Sequence, residues 1–288
     1  MSAPPTAGTT SPPFNLSRLI DSPLFAQVAW HDAIDSTNTL ALQSALQPEL
    51  PTPYLIGAEQ QTAGRGRGNH RWWSAPGALT FSLILNPRTD FAGPAVPPLN
   101  ENCWPRISLV AALALCDVLA ERVPAGKPRL KWPNDVHLAG RKVAGILVEV
   151  PPQPAGTARR LVLGIGINVN NSLVLAPEEI RSVAAALCDI TGGPMSREEL
   201  LLDWMERFGD HARSLATGAA DLADGWRSYC LLAGQTVTLQ AGNRTVAGHC
   251  LGIDDEGALL IDTPTGTERC FGGVLVRIQP SPAQGASR

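Results

Sequence analysis

The sequence predicts an α+β chain: a larger domain that mixes strands and helices, followed by a small β-barrel. Three observations carry this. The 288 residues amount to about two domain lengths. Strand-like apolar runs at 54–60 and 78–86 are followed by a strongly apolar helical run at 106–123. From Gly234 onward only short strand-like segments remain, separated by turn signals. With 44% hydrophobic and 17% charged residues the chain can build a large core, which excludes a fully disordered polymer.

The elements follow in order. Residues 1–22 read as a flexible tail. Ser36 caps a helix running to about Leu46. The strand YLIGAEQ at 54–60 feeds a Gly/Arg loop, and ALTFSLILN at 78–86 is a buried strand. Pro87 to Pro105 reads as a long loop, rich in Pro and Gly. The run 106–123 is a fully packed helix. LKWPNDVHL and KVAGILVEV are strands joined at Ala139–Gly140, and RLVLGIGINVN is another. Pro177 with Glu178 and Glu179 starts a helix to about Ile190. Ser196 and Glu199 form a capping box for a long amphipathic helix, and a shorter one covers about 220–230. The barrel strands are QTVTLQ, TVAGHCLGID, GALLIDT, TERCFG and VLVRI. The resulting division is 23–231 for the larger domain, 232–280 for the barrel and 281–288 for a disordered tail.

Charge and cysteine content narrow the function classes. A net charge of −3 leaves no global basic field for gathering nucleic acid. No apolar run approaches the roughly 20 residues that span a bilayer, and the N-terminus lacks a signal-peptide pattern. A cytoplasmic protein without a membrane partner is expected. The six cysteines form no Cys-x-x-Cys pair and read as single buried thiols. Of 23 basic residues only three are lysines, Lys127, Lys131 and Lys142. A lysine kept in so Arg-rich a chain suggests a need for a compact, rotatable ammonium.

Four segments carry chemistry. Gly64-Arg65-Gly66-Arg67 opens a run to Ser74 with three arginines, three glycines and the pair Trp72-Trp73. Glycines let backbone N–H groups approach an anion, guanidiniums bind phosphate or carboxylate, and an indole can stack on a purine. Alone, the run is equally a solvated basic turn or an RNA-binding segment. Lys131-Trp132-Pro133-Asn134-Asp135 packs a cation, an amide and a carboxylate around a proline that must interrupt the strand. Alone, it is also a hairpin with a surface ion pair. In Arg141 to Glu149, alternation puts Lys142 with Ala144 on one face and Val143 with Gly145 on the other. Gly164-Ile165-Gly166-Ile167-Asn168 lacks the third glycine of a dinucleotide fingerprint and reads as a buried strand. There is no Walker A motif and no Gly-x-Ser-x-Gly. Gly248 to Gly252 imitates a nucleophile elbow but lies inside a barrel strand.

Taken in order, Asp35-Ser36-Thr37-Asn38, Gln61, Gly64-Arg65-Gly66-Arg67 with Trp72, Lys131 to Asp135, Arg141 to Leu147 and Gly164 to Asn168 resemble the biotin–protein ligases. The resemblance covers roughly residues 30–280. It departs from the family pattern at Gly68-Asn69-His70 and in the long Pro87–Pro105 loop. It implies a mixed-sheet core like those of class II aminoacyl-tRNA synthetases and biotin–lipoate ligases, followed by an SH3-like barrel. Many family members carry an N-terminal winged-helix DNA-binding domain. Only about 34 residues precede Asp35, so a form without DNA binding is expected; the family also admits a homodimer.

The implied activity is ATP-dependent transfer of biotin, through biotinyl-5′-AMP, to a lysine of a biotin carboxyl carrier protein, such as a subunit of acetyl-CoA carboxylase or a related carboxylase. By resemblance Lys142 bridges the biotin carboxylate and the α-phosphate, and Arg65 and Arg67 lie over the phosphates. These three cations converge on one anionic pocket floored by sheet. Ser36, Thr37, Asn38 and Gln61 meet the ureido ring, with Gly64, Gly66 and Gly145 lining the biotin site. Trp72, Lys131, Asn134, Asp135 and Asn168 serve ATP, with Mg²⁺ near Asp135. Lipoate ligases share the implied fold, and an RNA-binding module is the reading from another class.

Overall fold

The computed structural model describes residues 14–68, 70–152, 159–174, 176–219 and 222–280. The chain groups into two compact units. One comprises the described residues up to Asn86 with Leu138–Glu206; the other comprises Pro87–His137 and the residues from Arg207 on. The sequence boundary at 231/232 thus marks where the C-terminal strands begin, while their compact unit also takes in 87–137 and 207–231.

The first unit is built on a sheet. Strands β1 (Gln27–Ile34), β2 (Tyr54–Gln61), β3 (Leu79–Leu85), β6 (Arg141–Glu149) and β7 (Leu161–Ile167) lie in the order β1-β2-β3-β7-β6. The β1–β2 pair is parallel and the others are antiparallel, so the sheet is mixed as expected. A parallel pair needs a crossover. Helix α2 (Thr37–Ser44) lies within it, with Ser36 Oγ accepting from the Thr39 N–H. The α2 face buries Ala41 and Ala45 against Ile56, Ile84 and Val162. On the opposite face Phe81 meets Trp204 edge-on, with ring centroids 5.4 Å apart.

Two expectations fail in this unit. Residues 14–22 are not a tail: α1 (Leu16–Ile20) buries Leu19 completely, and Phe14 stacks on Trp30 at 4.1 Å. Residues 1–13, also read as tail, lie outside the described residues. The helix expected from Pro177 to Ile190 breaks into α4 (Glu178–Arg181) and α5 (Leu187–Thr191). The intervening residues bond to the sheet instead. Lys142 donates its N–H to Val183 and accepts from the N–H of Ala185, while Leu187 donates to the Asn168 carbonyl. These bonds replace the i→i−4 ladder that continuing the helix would need.

In the second unit α3 (Ile107–Arg122) is almost wholly buried. The stretch Glu101–Arg122 has the length and composition of a membrane span, contrary to the expectation of no such run, but 67% of its apolar window is buried inside the protein. It is a core helix. The expected loop ends in a 3-10 helix at Glu101–Arg106. The helices α6 (Arg197–Thr217) and α7 (Leu222–Tyr229) meet α3 through Asp117, which pairs with His211 at 2.7 Å and accepts from Tyr229 OH at 2.9 Å. On α6 the Ser196 cap holds, accepting from the Glu199 N–H.

The C-terminal strands β8 (Gln235–Ala241), β9 (Arg244–Ile253), β10 (Leu259–Thr263), β11 (Gly266–Cys270) and β12 (Val274–Pro280) form one antiparallel sheet, ordered β11-β10-β9-β8-β12. Register shifts after Leu260 and Leu275 bend it. Residues 281–288 lie outside the described residues. All six cysteines are free thiols, and Cys116, Cys230, Cys250 and Cys270 are buried.

Leu19→Ala tests whether α1 belongs to the folded core. Removing this buried side chain should cost about 2–5 kcal/mol in urea unfolding, whereas a tail residue would cost nothing.

Candidate active site

The site-forming face of the first unit starts from three missing side chains. Gly145 on β6 pairs with Gly166 on β7, and Gly166 with Thr80 on β3; one row along, Leu147 pairs with Gly164 and Gly164 with Ser82. Directly paired residues share a face, so Gly145, Gly164 and Gly166 leave one bare hollow. A methyl built on Gly164 would lie 2.0 Å from Asn38 Oδ1, and one on Gly166 2.3 Å from the Trp72 indole. The glycines are what allow α2 and Trp72 to come down onto the sheet.

At the start of α2 a hydrogen-bond chain takes shape. Gln61 Oε1 accepts from the Thr37 N–H at 2.8 Å, with Thr37 Oγ1 at 3.2 Å. Ser82 Oγ lies 2.9 Å from Thr37 Oγ1 and 2.6 Å from Asn38 Oδ1. Asn38 Oδ1 can only accept, so Ser82 must spend its one proton there. The 2.9 Å contact then takes its proton from Thr37, and Gln61 is held by the backbone N–H. Asn38 Nδ2 donates to Glu149 Oε2 at 2.9 Å, and Arg65 donates to Glu149 Oε1 at 2.8 Å. Ser82 and Glu149 complete this chain, and neither was among the residues expected to matter. Glu149 closes the conspicuous GILVE run, and Ser82 is a lone hydroxyl in an apolar strand, which was the available signal.

The Gly/Arg segment is a small hairpin. Trp72 N–H donates to Gly64, Gly66 N–H to His70, and Arg65 bridges Arg71. Gly64 is required, since a methyl there would lie 2.5 Å from the Trp72 carbonyl. Arg67 is exposed, next to Gly68 with its positive φ of 63°. The Trp72 indole covers Gly166 and the edge of Gly145, and its Nε1 is buried without a partner. In this conformation Trp72 lies over the glycines where the acyl chain was expected. Lys142 is also displaced from its expected face. Its Nζ lies 3.1 Å from where a Gly145 Cβ would be, and 5.9 Å from the Trp72 ring centroid. Lys142 precedes the β6–β7 ladder, which begins at Ala144, so its four-carbon stem is free to cross to the glycine side.

Asn168 is buried, with Oδ1 accepting from Asn171 Nδ2 at 3.0 Å, so in this conformation it holds a turn. In the second unit Lys131 and Asp135 are cross-strand partners in a hairpin of β4 (Arg129–Lys131) and β5 (Asp135–Leu138). The strand is interrupted at Trp132–Asn134, as Pro133 requires, around a cis Trp132–Pro133 bond. Trp132 is buried and donates its Nε1–H to the Gly257 carbonyl at 3.2 Å, which braces the hairpin against the C-terminal sheet. Among the described residues no group of three or more His, Cys, Asp or Glu could hold a metal ion.

Residues 30–168 match the biotin/lipoate A/B protein ligase family and 233–278 the biotin protein ligase C-terminal domain. The chain is 33% identical over 247 residues to the bifunctional ligase/repressor BirA of Bacillus subtilis, covering 84% of this chain and 71% of that protein. The biotin–[acetyl-CoA-carboxylase] ligase of Mycobacterium tuberculosis is 31% identical, covering 93% and 97%. The chain belongs to the biotin protein ligase family. Its structure is similar to the biotin protein ligase of Aquifex aeolicus solved in complex with biotin and ATP, with a TM-score of 0.73, 30% identity and coverage of 89% and 100%. The SH3-like character expected of the C-terminal strands agrees with the ligase C-terminal match and the all-antiparallel sheet.

In this ligase, Gly164→Ala should separate the hollow from the rest of the core. Its methyl displaces Asn38, so stability falls by about 1–3 kcal/mol and calorimetric biotin affinity falls with it. Unchanged values for both would mean that the hollow repacks freely.

Proposed function

We infer that the chain joins biotin to a protein at the expense of ATP. A biotin carboxylate oxygen attacks the α-phosphorus of ATP, the bond to the β-phosphate breaks, and pyrophosphate leaves biotinyl-5′-AMP. A lysine amine of a carrier protein then attacks the acyl carbon. The acyl–phosphate bond breaks, AMP leaves, and the amide forms as the nitrogen loses a proton. The carrier is a biotin carboxyl carrier protein of acetyl-CoA carboxylase or a related carboxylase.

The observation that carries the assignment is Lys142 Nζ folded over the glycine hollow beside Trp72. A carboxylate and a triphosphate repel each other, and a cation between them offsets that repulsion as charge builds on phosphorus. A compact ammonium on a buried strand suits this better than a guanidinium fork. The exposed arginines Arg65 and Arg67 sit on the adjoining hairpin, where they close over phosphate and anhydride. The Trp72 indole is an apolar floor for the acyl chain, a better fit to its position than stacking on adenine. Thr37 and Gln61 face the ureido ring, with Ser36 and Asn38 holding them in place.

Mg²⁺ enters with ATP as part of the substrate. Such an ion keeps several waters and needs only one or two carboxylates besides phosphate, which Asp135 can supply without a preformed acidic cluster. Lys131 and Asn134, on the same hairpin, offer phosphate and ribose contacts. ATP and carrier both belong to the cytoplasm, where we place the reaction.

Biotin-dependent exchange of labelled pyrophosphate into ATP tests the first step. Lys142→Ala should lower it about 10²–10³-fold, the scale of losing one charge-stabilising donor. Equimolar free lipoate should leave the wild-type exchange unchanged. Arg67→Gly should release activated biotin, seen as biotin on a bystander protein. Exchange that survives Lys142→Ala intact would refute the assignment of that lysine.

A further inference from the structure

We propose that Glu149 is a positioning residue that locks the Gly/Arg hairpin to the floor of the biotin site through Arg65, and so sets how long the adenylate is retained. The proposal rests on the ligase reading above. Glu149 ends β6, four residues beyond Gly145. At about 3.3 Å per strand residue it stands roughly 13 Å from that glycine, too far to touch the reacting atoms beside Lys142. Its carboxylate is nevertheless fully engaged. One oxygen accepts from Asn38 Nδ2 at 2.9 Å and the other from Arg65 at 2.8 Å.

These two bonds tie the start of α2 to the Gly/Arg hairpin. Asn38 is fixed by Ser82 and lies on Gly164, so it moves only with α2 and the sheet. Arg65 belongs to the hairpin that carries Trp72 over Gly166. The Glu149 carboxylate is a quarter exposed and the Arg65 side chain 40% exposed. The pair is partly exposed and so is worth little as a bare ion pair, but its hydrogen bond gives it direction. Only Nη2 of Arg65 is given to Glu149, which leaves the other N–H groups of the guanidinium outside this bond. Glu149 therefore tethers Arg65 without using up its capacity for an anion.

A hairpin that opens lets the mixed anhydride escape or meet water. Removing the lock should thus act on retention rather than on chemistry. Glu149→Gln keeps an acceptor for Asn38 and removes the charge that holds Arg65. We expect biotin-dependent pyrophosphate exchange within threefold of wild type, and escape of biotinyl-adenylate at least tenfold faster. Escape is read as carrier-independent labelling of serum albumin. The same substitution in an Arg65→Ala background should add less than twofold, because the residue it acts through is gone.

Escape at the wild-type rate in Glu149→Gln, or an equal increase in both backgrounds, overturns the proposal. Wild-type protein without biotin-dependent exchange would instead refute the ligase reading itself. Should Glu149→Gln melt early, Glu149→Asp keeps the charge on a shorter arm. Its escape rate should lie between wild type and the Arg65→Ala variant, and a value at wild type again overturns the proposal.

Discussion

The absence of three side chains governs the first unit. Gly145, Gly164 and Gly166 open a hollow in an otherwise filled sheet face, and each neighbouring group takes its position from it. The Asn38 amide rests on Gly164, the Trp72 indole on Gly166, and the Lys142 ammonium reaches over Gly145. Bare glycine in a strand costs conformational entropy and gives up packing. The surrounding strands offset that cost with Leu83, Leu163, Ile165 and Ile167 buried on the other face. A rigid, fully packed sheet is thus the support for a hollow that packing alone would have closed.

Two hairpins carry the charged groups, and both are held by indoles. Trp72 anchors the Gly/Arg hairpin on the glycine floor, and Trp132 anchors the Lys131–Asp135 hairpin on the Gly257 carbonyl. A large flat side chain buried at the base of a short turn fixes it with few ordered residues. Gly257 also lies on Leu109 of α3, where a methyl would approach within 2.5 Å. The turn at 254–257 therefore links the C-terminal sheet, the core helix and the Lys131–Asp135 hairpin in one contact set. That gives the C-terminal strands a mechanical role in the second unit.

Most strands and the long helices were legible because their patterns are local. The run at 107–122 is strongly apolar and mostly buried, and the switch at Gly234 to short strands with Gly turns matches β8–β12. What escaped depends on distant partners. Residues 14–22 look polar and sparse, yet Leu19 and Phe14 find a buried place and an indole. The helix from Pro177 has good local propensity but yields to sheet bonds from Lys142 and Asn168. In the site, the motif residues were legible as types, while their partners were not. Strand alternation misplaced Lys142, because a long stem at a strand end need not follow the pleat. Nothing in the sequence said that Glu149 would bind both Asn38 and Arg65.

The proton count around Thr37 shows what the hollow has left to offer. Ser82 spends its proton on Asn38, Thr37 spends its hydroxyl proton on Ser82, and the Thr37 N–H requires an acceptor. That last requirement fixes the Gln61 amide with its oxygen inward, so Nε2 faces away from the chain. Gln61 Nε2 and Trp72 Nε1 have no bond among the described residues. Both are donors, and the Lys142 ammonium lies beside Trp72. The groups around the hollow are therefore donor-rich. If Gln61 meets the ureido ring as proposed, a hydrocarbon acid without a polar head leaves that amide unmet, at a cost of about 1–3 kcal/mol. The orientation of the amide itself is set by a backbone N–H at the start of α2.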